Sequence, residues 1–348
     1  MPINPFSLTF GKVPANYIAR EESKEEIIEA FSSEPSLCQT YMIGGIRGCG
    51  KTVLMTAVAK DLEKKKNWIC VDLNPTFDLL DDLANNLTYA LKKHNFFERG
   101  IELNVAGFGV GVGGKAHTEN SVNVIKDGLD LLKKKGTNLL ITIDEVVNGD
   151  NMRRFASQFQ IFIRRDYPIY LIMTGLYENI YNIQNDSALT FLLRSPKIML
   201  GPLSYTRIAG KYRELLGADE TKCEELAGLT KGYAFAFQAL GRVYWENREK
   251  ADKDRIMTEY EAYLEEYVYS KIWSGLTSVE KKIVLSMKDD GAVKTSTICE
   301  LSDIPSASFS KYRERLMLKE LVKSSGHGYL ELTLPRFNTI CRRLSMGE

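Results

Sequence analysis

The sequence predicts an α/β fold in which a parallel sheet is followed by a helical region and a small C-terminal domain. Up to residue 203, short apolar runs alternate with segments of helical periodicity, which is the pattern of strand–helix units. From Ser204 to Arg248 only helical periodicity continues. From Thr277 to Leu344 the pattern is that of helices followed by a hairpin. We therefore expect three domains, spanning residues 1–203, 204–270 and 271–348.

The composition excludes several classes of protein. The chain has 348 residues and a net charge of +1, so no overall field favours nucleic acid or a membrane surface. Its six cysteines are scattered and form no C-x-x-C pair, so we expect no zinc site and a reducing, cytoplasmic location. No apolar run is long enough to cross a bilayer, and the first residues do not resemble a signal peptide, so we expect no membrane partner.

Residues 40–52 carry the motif around which the chain is organised. From Gly45 to Thr52 they match G-x-x-x-x-G-K-[ST], between an apolar strand and a helical segment. Glycines in such a loop let backbone N–H groups turn toward a triphosphate, and the helix N-terminus adds partial positive charge. We expect Lys51 to reach the β- and γ-phosphates of ATP and the Thr52 hydroxyl to bind Mg²⁺. The alternative is a glycine-rich turn that matches by accident.

Asp144 and Glu145 end an apolar strand about 90 residues after this motif. At the end of a central strand, Asp144 is placed to hold Mg²⁺ opposite Thr52, and Glu145 to deprotonate an attacking water. Many such acidic pairs are only solvated strand ends. The preceding phosphate-loop motif is what favours the functional interpretation.

Two further residues are candidates for catalysis. Thr174 ends the next apolar strand, where ligands collect in open α/β sheets, and its hydroxyl could touch the γ-phosphate or the attacking water. The alternative for Thr174 is a strand-ending residue without a role. Arg194 precedes the fifth short strand and is a candidate arginine finger, acting in cis or on a neighbouring subunit, or else a structural residue.

A glycine-rich stretch from Ile101 to Lys115 alternates like a hairpin. We interpret it as an inserted β-ribbon, with a second phosphate cradle as the alternative. Further along, Tyr260, Tyr263, Tyr267 and Tyr269 lie on one acidic helix and are expected to pack rather than to stack on bases.

The C-terminal pattern is typical of a winged helix. We expect Ser278 to cap a first helix, helices near 295–301 and 306–318 to form a helix-turn-helix pair, and residues 321–333 to form the wing. Asp303 and Glu314 lower the net positive charge of the helix-turn-helix pair, so double-stranded DNA and a protein are both candidate partners. The second helix of the pair carries residues suited to phosphate contact: Ser308, Ser310, Lys311, Arg313 and Arg315.

Taken together, these motifs and their order resemble the AAA+ and STAND-type P-loop ATPases of the origin-recognition-like branch. The resemblance implies a parallel sheet of order 5-1-4-3-2, an α-helical lid over the nucleotide and a winged helix that binds DNA or a partner. It also implies that Asp144 and Glu145 form the Walker B motif, that Thr174 is sensor 1, and that Tyr17 to Arg20 line the adenine pocket. The predicted nucleotide contacts are Arg20, Gly45, Ile46, Arg47, Gly48, Cys49, Gly50, Lys51, Thr52 and Val53; the metal ligands are Thr52 and Asp144; the catalytic residues are Lys51, Glu145, Thr174 and Arg194.

The chain departs from that family in three places. Gly232-Tyr233-Ala234 lacks the proline of the Gly-x-Pro motif found in the lid of STAND relatives. No lid arginine is an obvious sensor 2, although Arg242 lies on the appropriate helix. The glycine-rich stretch is not part of the general core.

The function expected from these observations is a slow, Mg²⁺-dependent ATP-hydrolysing switch, and an ATP-dependent homo-oligomer is compatible with the resemblance. The first alternative is a nucleotide-gated DNA-binding or partner-binding scaffold with little or no hydrolysis. A P-loop kinase is a weaker alternative, because such kinases usually lack the Asp-Glu pair and have no need of a winged helix.

Overall fold

The computed structural model describes residues 3–8, 13–96, 114–247 and 252–347, without the side chains of 114–119, 188 and 190. These residues form two compact units. The sheet unit consists of Arg20–Gly44 and Lys51–Met199. The helical unit consists of the described parts of Met1–Ala19 and Leu200–Glu348 together with Gly45–Gly50, the predicted phosphate-binding loop.

The sheet unit is built on five parallel strands in the order β2-β3-β4-β1-β5. This is the predicted order 5-1-4-3-2 counted from the opposite edge, so the predicted fold class is confirmed. Three central strands are almost wholly buried and apolar, as expected of a parallel sheet covered on both faces. The strands are β1 (Thr40–Gly44), β2 (Trp68–Leu73), β3 (Asn138–Ile143), β4 (Ile169–Gly175) and β5 (Lys197–Met199).

Helices connect these strands and supply the other half of the core. They are α1 (Glu21–Ser32), α2 (Lys51–Glu63), α3 (Leu79–Lys93), α4 (Gly114–Lys134), α5 (Asp150–Arg164) and α6 (Tyr177–Gln184), followed by a 3₁₀ segment, Ser187–Arg194. The core between helices and sheet is dominated by aliphatic residues of β3 and β4 and by Leu83, Leu87 and Phe159. Helix α6 was not predicted from the sequence.

The glycine-rich stretch lies mostly outside the described residues. Its last two residues, Gly114 and Lys115, are the first two of α4, whereas the sequence pattern predicts a helix only from Asn120. Helical periodicity in the sequence predicts a helix from Phe77, but α3 begins at Leu79. The reason is that the Asp78 carboxylate caps it by accepting hydrogen bonds from the N–H groups of Leu80 and Asp81.

In the helical unit, five helices follow one another: α7 (Tyr205–Leu216), α8 (Glu220–Leu229), α9 (Ala234–Asn247), α10 (Lys253–Leu264) and, after a π-helical turn at Glu265–Tyr269, α11 (Ser270–Ser274). The described residues before Ala19 contact these helices. Phe6 is buried with its ring 5.9 Å from Tyr212 and 5.7 Å from Phe237. The Gln238 side chain accepts a hydrogen bond from the Ser7 N–H and donates one to the Asn16 carbonyl.

The C-terminal segment (residues 277–346) has the element order expected of a winged helix, with one added helix at its end. Its three strands pair antiparallel in the order β6-β8-β7. The first helix is capped by Thr277 and not by Ser278 as predicted, because Thr277 and Glu280 form a reciprocal capping box. The elements are α12 (Ser278–Leu285), β6 (Val293–Lys294), α13 (Thr295–Ser302), α14 (Ser306–Leu318), β7 (Val322–Ser324), β8 (Tyr329–Leu332) and α15 (Phe337–Met346).

The tyrosines of the acidic helix pack as predicted. Tyr260 and Tyr269 are fully buried, and their hydroxyls donate hydrogen bonds to the carbonyls of Leu229 and Pro335. Across the described ranges, none of the helices combines the length and the apolar character needed to traverse a lipid bilayer.

Candidate functional site

Three oxygen-bearing side chains of the sheet unit meet at the carboxyl ends of its strands. Thr52 is the second residue of α2, and its hydroxyl donates a hydrogen bond of 2.7 Å to Oδ2 of Asp144. The Thr174 hydroxyl donates to the other oxygen, Oδ1. Strand register explains the meeting, because Ile143 pairs with Met173 and thus puts Asp144 beside Thr174. This Thr–Asp–Thr cluster brings together three residues that are 92 and 30 positions apart in the chain.

Glu145 follows the cluster in an unusual backbone conformation. Its φ of 54° lies in the left-handed region, which non-glycine residues seldom adopt. Two N–H groups hold this conformation. The Glu145 N–H donates to Thr174 Oγ1 at 3.2 Å and to Asp144 Oδ1 at 3.1 Å. The Val146 N–H donates to the Thr174 carbonyl. The Glu145 side chain is exposed, in contrast to the half-buried Asp144. A strained residue at a strand end is a frequent feature of functional sites.

The donor set of the cluster suits magnesium. Mg²⁺ prefers oxygen ligands and usually takes only one or two carboxylates from the protein, with water and phosphate oxygens completing its shell. Thr52 and Asp144 supply one hydroxyl and one carboxylate within 2.7 Å of each other. Among the described residues no group of three or more His, Cys, Asp or Glu side chains could form an all-protein metal site.

The phosphate-binding loop is held by residues of the helical unit. The buried Tyr233 hydroxyl donates a 2.6 Å hydrogen bond to the Arg47 carbonyl, and the Phe235 N–H donates to the Gly48 carbonyl at 3.1 Å. Gly48 has a φ of 76°, and a Cβ there would lie 2.4 Å from the Tyr233 hydroxyl. Glycine is therefore required by both conformation and space.

Tyr233 occupies the position where the Gly-x-Pro motif would place its middle residue. Burial raises the pKa of this phenol well above its ordinary value, so the group stays neutral and remains a hydrogen-bond donor. From the sequence alone, residues 228–233 are predicted only to form a turn between two helices. The dipeptide Gly232-Tyr233 marks the position of the lid motif, but no sequence pattern near it indicates that the Tyr233 hydroxyl binds the carbonyl of residue 47.

A second contact to the loop comes from the C-terminal segment. The Ile46 N–H donates a 2.6 Å hydrogen bond to Oε2 of Glu320. This distance is at the short end for an N–H bound to a carboxylate. Glu320 was not predicted as a site residue, because it lies between a helix and a strand and belongs to no motif.

The remaining predicted residues occupy different environments. Lys51 is the first residue of α2 and is only 8% exposed. Arg20 directly precedes α1, and its carbonyl accepts the Lys24 N–H. Arg194 ends the 3₁₀ segment with an exposed side chain, and no residue of the described ranges lies within ion-pair or hydrogen-bond distance of its guanidinium. Cys49 is buried within the loop and Val53 follows Thr52 in α2.

Arg242 lies on α9, where a sensor 2 arginine was considered. Its Nε is 3.1 Å from Glu246 Oε1, one helical turn further along, at an angle too poor for a hydrogen bond. The structure thus shows Arg242 beside a carboxylate of its own helix.

A comparison with family models matches only the C-terminal part of the chain. Residues 266–339 match a family described as a domain of unknown function (DUF8462). No curated protein matches the sequence significantly.

Several solved structures match almost the whole chain. The Walker-type ATPase PABY2304 of Pyrococcus abyssi aligns with a TM-score of 0.69 and 14% identity, over 97% of this chain and 99% of that one. The Aeropyrum pernix ORC2 protein, solved in ADPNP–ADP complexes, aligns with a TM-score of 0.62 and 13% identity over 98% of both chains. The Cdc6p protein of Pyrobaculum aerophilum aligns with a TM-score of 0.50 and 13% identity over 97% of both chains. The chain therefore has the fold of archaeal ORC/Cdc6-like AAA+ ATPases.

Proposed function

We propose that this chain is a Mg²⁺-dependent ATP-binding and ATP-hydrolysing switch with slow turnover. The observation that carries the proposal is the hydrogen-bonded Thr52–Asp144–Thr174 cluster, which stands at the end of β3 and β4 and includes a residue of the phosphate-loop motif. A fold shared with a Walker-type ATPase and with an ORC2 protein solved in ADPNP–ADP complexes supports nucleotide binding. Fold alone does not assign the reaction, so the roles below rest on the residues.

Binding would depend on the loop and on the start of α2. Backbone N–H groups from Gly45 to Gly50 would surround the phosphates, and Lys51 would neutralise the β- and γ-phosphates. Arg20 and Val53 are proposed to contact the nucleoside end. Thr52 and Asp144 would hold Mg²⁺, which when bound would neutralise charge on the β- and γ-phosphate oxygens.

Hydrolysis would depend on the exposed carboxylate of Glu145. Glu145 would accept a proton from water as the water oxygen bonds to the γ-phosphorus, while the bond from that phosphorus to the bridging oxygen of ADP breaks. Thr174 is fully buried and already bonded to Asp144 and to the Glu145 N–H, so it would position the base. Exposed Arg194 is available to stabilise charge in cis, or across a homo-oligomer.

Three variants test the proposal. Lys51→Ala should abolish ATP binding, because it removes the cation that pairs with the phosphates. Glu145→Gln should bind ATP normally and lose turnover by about a hundredfold or more, the range of general-base catalysis. Glu178→Gln is the matched control, since Glu178 is an exposed glutamate of the sheet unit in α6. Binding is measured by calorimetry and turnover by phosphate release.

Equal turnover in wild type and Glu145→Gln would refute Glu145 as the base. Nucleotide binding without turnover, with and without DNA, would favour the nucleotide-gated scaffold instead. Light scattering with ATP would report whether the chain self-assembles, which is the condition for Arg194 to act in trans.

We further propose that the C-terminal segment engages a DNA duplex or a protein partner. Lys311 and Arg315 are exposed on α14, and within the described ranges neither they nor Arg313 pair with a carboxylate. Unpaired cations favour contact with phosphates. If the partner is DNA, Lys311→Ala should lower the slope of log affinity against log salt by about one, the value for one phosphate contact. If no DNA duplex binds at low salt, the result would favour a protein as the partner of this segment.

A further inference from the structure

The loop that would receive phosphate already holds an anion from the same chain. Glu320 Oε2 accepts the Ile46 N–H at 2.6 Å, and a carboxylate is the protein group that most resembles a phosphate oxygen as a hydrogen-bond acceptor. In P-loop proteins, backbone N–H groups of such loops and of the following helix N-terminus bind nucleotide phosphates. The Glu320 carboxylate therefore lies against the loop to which a nucleotide phosphate would bring further negative charge.

The backbone around Glu320 is rigidly set. Helix α14 ends in a double turn in which the Glu320 N–H donates to the Met317 carbonyl and the Leu321 N–H donates to the Leu316 carbonyl. The Thr333 hydroxyl, at the end of the wing, donates to the Glu320 carbonyl at 2.5 Å. These bonds hold residue 320 between α14 and the hairpin.

Glutamate is an unexpected residue at this place. The φ of Glu320 is 56°, in the left-handed region where a helix that ends in this way usually has glycine. A side chain there strains the backbone, so a glycine would serve the turn better. Its carboxylate is the part that a glycine would lack, and this is the part that contacts the loop.

We propose that Glu320 is an internal anion of the phosphate-binding loop that a nucleotide phosphate must displace. The inference rests on the proposed nucleotide site and names its regulation. While Glu320 is bound to the loop, its negative charge repels a phosphate, so the apparent affinity for nucleotide is reduced to the fraction of molecules without the contact. Reciprocally, nucleotide binding frees the Glu320 carboxylate from the loop while the turn keeps its own hydrogen bonds, which connects loop occupancy to the proposed partner-binding segment.

The structure offers a closely matched control. Asp303 ends α13 with a φ of 55°, and the same two backbone bonds surround it: its N–H donates to the Glu300 carbonyl and the Ile304 N–H to the Cys299 carbonyl. It is acidic and exposed, and no residue of the described ranges is bonded to its carboxylate. Asp303→Gly and Glu320→Gly therefore relieve the same backbone strain and remove one negative charge each, but only the second removes the loop contact.

The experiment measures ADP and ATP affinity by calorimetry for wild type, Glu320→Gly, Glu320→Gln and Asp303→Gly. Glu320→Gly should bind about tenfold more tightly than wild type, the gain expected if about a tenth of wild-type molecules have a vacant loop. Glu320→Gln should change in the same direction, because an amide is a weaker acceptor, and Asp303→Gly should match wild type. Equal affinity in wild type and Glu320→Gly, with both folded, overturns the inference alone. Failure of every variant to bind nucleotide overturns the proposed function as well.

A second measurement needs no nucleotide. Amide hydrogen exchange at Ile46 should be slow in wild type and in Asp303→Gly, and faster in Glu320→Gly. Equal exchange at Ile46 in all three proteins would overturn the contact itself.

Discussion

Two carboxylates of this molecule are assigned opposite roles because they accept hydrogen bonds from different kinds of donor. Asp144, in the sheet unit, accepts hydroxyl hydrogens from Thr52 and Thr174 and lies among oxygen atoms that suit a cation. Glu320, in the helical unit, accepts a backbone N–H of the phosphate-binding loop, where we propose that it opposes a nucleotide phosphate. The role of an acidic residue is thus inferred from its hydrogen-bond donors, because residue type alone does not distinguish a metal ligand from an internal anion.

The two carboxylates also differ in whether the sequence pattern around them indicates a site. Asp144 belongs to a local pattern, an apolar strand that ends in Asp-Glu after a glycine-rich loop. Glu320 is 274 residues from its donor and follows an ordinary helix. The effects of substitutions at these sites and in the packing around them should differ in size, from a large loss of turnover at Asp144 to the loss of one hydrogen bond at Tyr233.

Asp144→Asn should reduce Mg²⁺-dependent ATP turnover by about a hundred- to a thousandfold, the scale for loss of one electrostatic group at a reacting centre. An amide cannot neutralise the metal and disturbs both threonine hydroxyls. Asp72→Asn is the control, because Asp72 also accepts a threonine hydroxyl, that of Thr142, within the same sheet. Comparable losses of turnover in both variants would show that Asp144 acts only through the fold.

Lys319→Met tests an ion pair next to Glu320. The Lys319 ammonium lies 2.9 Å from Glu280, whose side chain is only 1% exposed. Removing one partner of a buried pair leaves a charge unpaired, so unfolding free energy should fall by about 3 kcal/mol. Lys323→Met is the control, since its partner Glu331 is more exposed and surface pairs contribute about 0–1 kcal/mol. Denaturant unfolding measures both, and equal losses would contradict the prediction.

Gly241→Ala tests the packing of the N-terminal residues on α9. A Cβ at this position would lie 2.3 Å from the Phe6 ring, so overpacking should cost about 2 kcal/mol. Gly210→Ala, in α7, is the matched control, because no atom lies within 4 Å of its added Cβ and alanine should stabilise the helix by about 1 kcal/mol. Thermal unfolding should therefore shift in opposite directions. A stabilised Gly241→Ala would mean that Phe6 does not pack there.

Lowering the pH should weaken the fold through Glu280. Burial raises the pKa of this carboxyl, but the Thr277 N–H and the Lys319 ammonium outweigh burial, and the net pKa lies below its ordinary value. A carboxyl with a lowered pKa stabilises the fold above its ordinary pKa, and this contribution is lost as pH falls through the folded-state pKa. Stability should thus decline as pH falls below about 4.5, the ordinary glutamate value, by more than in Glu280→Gln. Parallel pH profiles of the two proteins would refute the assignment.

Tyr233→Phe should have the smallest effect. It removes one hydrogen bond to the Arg47 carbonyl while keeping the buried ring, so the loss should be about 1 kcal/mol in stability. Tyr260→Phe, which removes a similar bond to the Leu229 carbonyl away from the loop, is the control. Both should lose similar stability, but only Tyr233→Phe should change nucleotide affinity. Unchanged affinity in Tyr233→Phe would show that this bond does not shape the loop.

Much of the sheet unit could be predicted because its signals are local. Apolar runs such as Leu139 to Ile143 indicate buried strands, and the resemblance supplied an order of strands that the structure confirms. Helix limits were less predictable where a capping side chain decides them, as at Asp78 and at Thr277. The short strand Val293–Lys294 was missed because two residues carry no periodicity and are defined only by their pairing with β8.

The individual strands, the order of the motifs and the acidic pair could be identified from the sequence alone, because each depends on neighbours within one strand–loop–helix segment. Only the tertiary structure decided that Asp144 meets Thr52 and Thr174, that Tyr233 holds Arg47 and that Glu320 reaches Ile46. The physical reason is that a hydrogen bond is specified by distance and direction in space. Donors and acceptors separated by many residues acquire that geometry only when the elements between them have packed.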